Sequence, residues 1–418
     1  MPTSHVSLSD VVGGAQLDVF AAAAIDDPYP LFGELRRRAP VFRVPGSDFY
    51  LVSTWDLVLE ATQRVADFSS HLTGVLVQRP SAAPTTFDLD GAGRAVHVLA
   101  TADDAVHRDQ RKLVLPTLVA KRVRALEPSI LAVARDLFDE HLTGDRIEWM
   151  AAIADRLPMT MVDLLLGLPG EDVPKLVEWG YASTELLGGV LDEGRFVAVV
   201  TAAAELADYL HAHFERACDE PGDDLVGDLA RECSAGNLDH DAAVLMLVQL
   251  VGAGGESTAG LLGNAVRLLA TDPALQQQIR ANRAALVPFL EESLRLESPF
   301  RGHHRHVVAD TTIGDVRLPA GSHLMLLWGS ANRDSSQFAD PDAVVLDRPR
   351  PRGHLAFGAG VHFCVGAALA LLEARVVLDE LLTRTSYFGI AEPSHASWLP
   401  SIFVRRHVRL ELTTSPQA

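Results

Sequence analysis

The chain has 418 residues, 48% of them apolar, and a formal net charge of −19, so it can bury a large core while its average surface repels nucleic acid and anionic lipid. Its three cysteines, Cys218, Cys233 and Cys364, are an odd and widely spaced set that offers no disulfide framework and fits a reducing compartment. The first ten residues lack the basic and apolar segments of a secretory leader, and no uninterrupted apolar run reaches about 18 residues, so a cytoplasmic protein without a membrane anchor is the expectation.

Residues 1–26 carry no clear period and read as a flexible lead-in. From Asp27, D-P-Y-P-L-F-G-E-L-R-R-R has the acidic start, early proline and basic end of a helix. Residues 41–44 and 49–53 read as short strands around a Pro45-Gly46 turn, and Thr54 is placed to cap a helix over 55–65. The stretch 69–101 is irregular, with Pro80, Pro84, Gly74 and Gly91 in it, and a loop of that length inside a compact domain is usually functional or mobile. Residues 107–123 read as a helix interrupted near Pro116, where His107 and Arg111 share a face. Taken alone, that pair is a solvated contact. Amphipathic helices follow through 124–235, broken near Gly144, residues 167–169, Gly188-Gly189 and Pro221-Gly222.

Residues 239–271 form the longest candidate helix, with V-G-A-G-G-E-S-T in its middle. Its interior glycines, Gly252, Gly254 and Gly255, cost on the order of 1 kcal/mol each relative to alanine, so something must compensate. A helix lying across a flat cofactor would gain close approach, and a local widening of its hydrogen-bond ladder would make room there; close packing against another helix is the alternative. Next, E-E-S-L-R at 291–295 pairs Glu292 with Arg295 at i,i+3, ordinarily a surface contact worth roughly a few tenths of a kcal/mol. The histidines of F-R-G-H-H-R-H-V after Pro299 are too closely packed for tetrahedral zinc and have no cysteine pair beside them. Short strands are expected over 307–327, and 399–413 alternates like a hairpin.

The organising stretch is 353–366, G-H-L-A-F-G-A-G-V-H-F-C-V-G, followed directly by an alanine-rich helical pattern over 367–382. Cys364 therefore stands at a helix N-terminus, where unpaired N–H groups favour thiolate over thiol. A thiolate held this way is either a nucleophile or a metal ligand. Phe357 and Phe363 supply apolar surface, Gly358 and Gly360 allow tight turns, and Gly366 lets N–H groups reach the sulfur. A nucleophile would want a base beside it, and His362 could face either way; the spacing favours the ligand.

Taken as F-G-x-G-x-H-x-C-x-G, the loop fills every fixed position of a haem-binding signature and resembles that of the cytochrome P450 family. The resemblance runs from about residue 27 to the C-terminus, with four motifs in the family's order. It implies a mainly α fold with a small β-rich part, one domain over 27–418 after the 1–26 lead-in, and haem b between the long central helix and the cysteine loop. Cys364 would be the axial iron ligand, and Phe357, Gly358, Gly366, Ala253 and Gly254 would border the haem. The H-x-x-x-R pair His107 and Arg111, with Arg305 and His362, would hold the propionates. A-G-G-E-S-T is similar to the family's A-G-x-[DE]-T-[TS], which makes Glu256 the acid and Ser257 the alcohol of proton delivery, with serine where threonine is usual and Thr258 able to share the role. Glu292, Arg295 and Arg348 would form a buried structural set.

By the same resemblance, 69–101 folds over the substrate, with Leu76, Val77 and Phe87 as pocket walls against the plainer reading of core packing. Leu187, in a turn over 186–191 between two lid helices, and Phe300, Ile402 and Phe403 are further candidate contacts. The activity implied is insertion of one oxygen atom from O2 into a hydrophobic small molecule: a lipid, sterol, terpenoid or polyketide-like compound. No flavin or nicotinamide fingerprint and no iron–sulfur cysteine set is visible, so electrons would come from a ferredoxin and its reductase. Arg348, Arg350 and Arg352, with Arg108, Lys112, Lys121 and Arg122, offer a docking face. Two rivals are a haem-binding or sensor protein, which would keep Cys364 without proton-delivery groups, and a serine hydrolase using Ser257. The second would need a glycine where Ala259 stands and a strand before the serine.

Overall fold

A computed structural model of the chain describes residues 17–91, 95–190, 192–392, 394 and 396–417. Its axis is the helix His240–Thr271, capped by Asp239 Oδ1, which accepts the Ala242 N–H at 3.1 Å. Arg156–Leu166, Val173–Glu185 and Glu193–Asp219 pack along it, as do Leu286–Leu296 and Ala367–Arg384, and side chains of the central helix enter two separate core clusters. By length and hydropathy this helix could cross a bilayer, but most of its apolar window is buried inside the protein, as expected of a core helix.

The three glycines of this helix have protein partners. A Cβ on Gly252 would meet Ser183 Oγ at 2.6 Å, one on Gly254 would meet Val162 at 2.7 Å, and one on Gly255 would meet Met159 Cε in direct overlap. Close packing against Arg156–Leu166 and Val173–Glu185 therefore compensates for their helix cost, and cofactor approach is not needed to explain them. The expected widening of the ladder is also absent from this helix, which is α-helical throughout; the π-turn lies at Met150–Ala154.

A five-stranded sheet sets Val41–Arg43, Phe49–Val52, His323–Leu326, His303–Val307 and Phe68–Ser69 side by side in that order. Its first hairpin turns through Pro45-Gly46 as expected, with Gly46 at φ 80°. His303–Val307, antiparallel to His323–Leu326, carries Arg305. A second sheet pairs His407–Pro416 with Thr385–Ile390, Ala396–Trp398 and Arg146–Glu148.

Several expectations are corrected. Of the 1–26 lead-in, residues 1–16 lie outside the described residues, but Ala22–Asp26 is a helix, and Phe20 and Ile25 are buried with Phe403 in one apolar cluster. Thr54 makes no capping bond; Asp334 Oδ2, distant in sequence, accepts the Trp55 N–H at 3.0 Å instead. The 69–101 stretch holds a hairpin of Gly74–Val77 with Thr85–Asp88. Residues 399–413 are not the two arms of one hairpin, because 399–406 is the inward-turned connection between Ala396–Trp398 and His407–Pro416.

Candidate active site

Cys364 sits just before Ala367–Arg384, with its own N–H donated to Phe357 O at 2.9 Å, so the loop closes on itself. Gly358 and Gly360, both at φ 69°, make the turns that only glycine adopts without strain. At Gly366 an added Cβ would meet nothing closer than the Cys364 sulfur at 3.9 Å, so the chain's own packing leaves space there. Burial pushes the Cys364 thiol up, while the Gly366 N–H, the Arg111 guanidinium and the Ala367 N–H pull it back. The sulfur is thus surrounded by donors suited to a thiolate.

Four polar side chains gather beside the loop from three separate elements. Arg111, on Asp104–Val114, donates Nη2 to Phe363 O at 2.7 Å. His107, one turn earlier, places its ring 4.0 Å from that of His362. His362 Nε2 lies 2.9 Å from Ser70 Oγ, its Nδ1 is buried with no partner, and burial with the nearby Arg305 charge holds its pKa down at about 3. Arg305 is buried, donates Nη1 to the His304 carbonyl at 2.7 Å, and has no carboxylate within ion-pair distance among the described residues. Burial lowers it to about 10, against the attraction of Asp103. Two cations and a ring nitrogen without a protein partner form a set suited to an anion.

On the central helix, Ala253 is exposed and Gly254 and Ser257 are half-buried, while Val251, Gly252, Gly255, Glu256 and Thr258 are buried. The helix is therefore open on one face at this point. Ser257 lies on it and donates Oγ to Ala253 O at 2.6 Å. Glu256 points the other way: Oε1 accepts from Arg406 Nε at 2.8 Å, and Oε2 accepts from the Thr184 hydroxyl. Arg406 lies 4.4 Å over the Tyr181 ring, whose hydroxyl donates to Asp155 Oδ1 at 2.8 Å. Burial raises Glu256 despite Arg406 and raises Asp155 to about 6. Arg406, Thr184, Tyr181 and Asp155 were not singled out in the sequence, nor were Ser70 and Asp103. Only Asp103 had a local signal, one helical turn before His107.

Glu292 and Arg295 are fully buried and bidentate, Nε to Oε1 at 2.7 Å and Nη2 to Oε2 at 2.9 Å. Arg348 Nε joins the same carboxylate at 2.9 Å. With a side chain only 8% exposed, Arg348 belongs to this set and cannot serve a docking face; Arg108, Lys112, Lys121, Arg122, Arg350 and Arg352 are exposed.

The candidate substrate contacts separate by burial. Leu76 and Phe403 are side chains of the core, as is Ile402, with Leu187 packed on the same cluster. Leu191, the end of the expected lid turn, lies outside the described residues; Leu186–Gly188 is a short 3-10 turn. Phe300 stacks on Phe403 at 4.8 Å, and Phe87 meets Phe196 edge-on at 5.7 Å. Val77 is half-buried opposite Thr85. A cavity of about 340 Å³ lined by Val44, Gly46, Gln78 and Pro84 includes no residue of the cysteine loop or central helix.

A mostly helical fold carries a donor-flanked cysteine at a helix N-terminus, with an anion-binding set of side chains beside it. The donor set and the space at Gly366 fit haem b. The cytochrome P450 family model matches residues 225–388. Cytochrome P450 144 of Mycobacterium tuberculosis is 50% identical over 408 residues, 98% of this chain and 93% of that protein. The beta-dihydromenaquinone-9 omega-hydroxylase of Mycobacterium bovis is 30% identical over 96% of this chain and 78% of its own length. Among solved structures, CYP109E1 from Bacillus megaterium in complex with testosterone is 28% identical with a TM-score of 0.81, covering 93% of this chain and 98% of that one.

The chain belongs to the cytochrome P450 family. It is a monooxygenase whose cofactor is haem b with an axial cysteine thiolate.

Proposed function

We propose that this monooxygenase oxidises a hydrophobic small molecule of lipid, sterol, terpenoid or polyketide type in the cytoplasm, with electrons from a ferredoxin and its reductase. The observation that carries the site assignment is the anion-binding set of Arg111, Arg305 and the unpartnered His362 Nδ1 beside Cys364. When bound, the haem supplies the redox chemistry by which O2, electrons and protons give one oxygenated product and water.

The chain's own residues do the rest. The Gly366 and Ala367 N–H groups and Arg111 stabilise negative charge on Cys364 Sγ. Arg305 and Arg111 offer charge-assisted hydrogen bonds to the propionates, and His107 and His362 offer ring nitrogens beside them. Phe357 and Gly358 border the face behind the thiolate, which keeps water from the sulfur. Ser257 Oγ holds a proton on the open helix face, and Glu256, a buried carboxyl raised by its surroundings, is the reservoir that refills it when Arg406 releases it. Thr258 is buried and stands outside this route.

The hydrophobic substrate class is supported by the relatives: one is named for a menaquinone-type substrate and another is solved with testosterone. Exposed Arg108, Lys112, Lys121, Arg122, Arg350 and Arg352 on a chain of net charge −19 suit an acidic ferredoxin. The test is turnover of a hydrophobic compound set with ferredoxin and reductase at rising ionic strength. Turnover that falls with salt supports the reading; reduction rates indifferent to salt overturn electrostatic docking.

A further inference from the structure

Away from the cysteine loop, three ligating side chains converge where Glu193–Asp219 passes the start of the central helix. His211 and Glu215 stand one turn apart on the first helix, and His240 is the first residue of the second. One ligand atom from each lies within 4.8 Å of the other two. Both histidines aim Nε2 at the same carboxylate oxygen, Glu215 Oε1, at 2.7 Å from His240 and 3.9 Å from His211.

We propose that His211, Glu215 and His240 form a zinc-type divalent transition-metal site that ties these two helices together. Two imidazoles and a carboxylate are a borderline-soft donor set of the kind zinc takes, with water completing the tetrahedron. Ligands about 2.0–2.2 Å from zinc stand about 3.3 Å apart in a tetrahedron, a value between the two separations observed. Small side-chain rotations reach it. The site is open to a water, since His211 and Glu215 are 52% and 57% exposed. His240 Nε2, by contrast, is buried and, although 2.7 Å from the Glu215 carboxylate, makes no hydrogen bond.

The surroundings fix the His240 ring. Phe214 meets it edge-on at 5.0 Å, the His211 ring lies 5.1 Å away, and Asp241 Oδ1 is 3.8 Å from Nδ1, on the side away from the site. With metal bound at Nε2 the ring proton would move to Nδ1, on the side that Asp241 faces. His213, also nearby in sequence, is engaged elsewhere: its Nδ1 accepts from Arg216 at 2.8 Å and its ring packs on Tyr209.

The test uses the haem-loaded full chain, stripped with a chelator and titrated calorimetrically with zinc chloride. One saturable zinc per chain is expected, with a higher melting temperature in its presence. His211→Ala and His240→Ala should each weaken binding at least about tenfold and abolish the thermal shift, while His213→Ala leaves both unchanged. Absence of a saturable site in the wild type, undiminished binding in His211→Ala and His240→Ala, or loss of binding in His213→Ala would overturn the assignment.

Discussion

Arg406 Nε stands 2.8 Å from Glu256 Oε1, joining the central helix to the inward-turned 399–406 connection across 150 residues of sequence. The same guanidinium faces Tyr181 and Asp155, so a single cation balances two buried carboxyls. A buried charge stripped of its partner is costly unless it neutralises.

Arg406→Leu is therefore expected to destabilise the protein by roughly 3 kcal/mol at pH 8 and by less at pH 5. Without Arg406, burial acts on Glu256 and on Asp155 against only the Thr184 and Tyr181 hydrogen bonds, and both are already raised. Both bind protons more readily in the folded state, and low pH supplies those protons. Denaturant unfolding at the two pH values checks the sign, and Glu256→Gln in the Arg406→Leu background should recover part of the loss. A deficit of equal size at both pH values would contradict this account.

The Glu292 carboxylate serves two guanidiniums and the Val345 N–H at 2.9 Å. Burial alone would raise it, but the hydrogen bonds from Arg295, Arg348 and Val345 hold it below the usual carboxylate range. Glu292→Ala leaves both arginines buried without a counter-charge, a loss of about 3–5 kcal/mol. Arg295→Lys should also fail, because the second bidentate bond and the bonds to the Pro341 and Ala343 carbonyls need a guanidinium. Soluble yield and haem content per chain are the readouts.

Acid should unfold the protein through its buried histidines. Burial, with His303 and other cations nearby, holds His304 down at about 3, and burial with Arg267 and Arg405 holds His407 at about 3. In the unfolded chain each titrates near about 6.5. Between those values the unfolded state binds more protons, so this stability is present above about pH 6.5 and lost as pH falls, by up to about 1.4 kcal/mol per pH unit per histidine. Urea unfolding at pH 7.5 and pH 5.0 should differ by at most roughly 4 kcal/mol from this pair. Equal stability at both would count against it.

Ser257 and Thr258 are adjacent hydroxyls with different surroundings: one lies on the open face, the other is buried. Ser257→Ala is expected to cut product formed per electron pair consumed by about tenfold or more, the lower range for general acid–base groups, with peroxide release rising. Thr258→Val, near-isosteric and outside the open face, should leave that ratio within about twofold. Product and peroxide yields measured together decide it.

What the sequence disclosed, and what it hid, follows the range of the interactions. The cysteine loop and the Glu292–Arg295 pair are written in short spacings, and their local geometry follows from helix periodicity and glycine turns. Arg406 has no local pattern to mark it, since its partner lies in another element. Glycines 252, 254 and 255 pointed to a close approach without saying what approaches; the answer, Ser183, Val162 and Met159, belongs to neighbouring helices. The Trp55 helix takes its cap from Asp334 rather than Thr54 for the same reason. Alternation over 399–413 failed because 401–406 is buried within a connection, where side chains meet protein on all sides and a period of two loses meaning. The lid turn and the substrate walls are apolar residues among many, and hydrophobicity alone does not separate a pocket from a core.

The most direct measurement is the absorption spectrum of the purified protein, oxidised and then reduced under carbon monoxide, for the wild type and Cys364→Ala. A strongly red-shifted Soret band of the reduced carbon monoxide complex in the wild type, lost in the variant, is the result predicted for a haem held by the Cys364 thiolate. A protein that binds no haem, or a spectrum indifferent to Cys364, would contradict it.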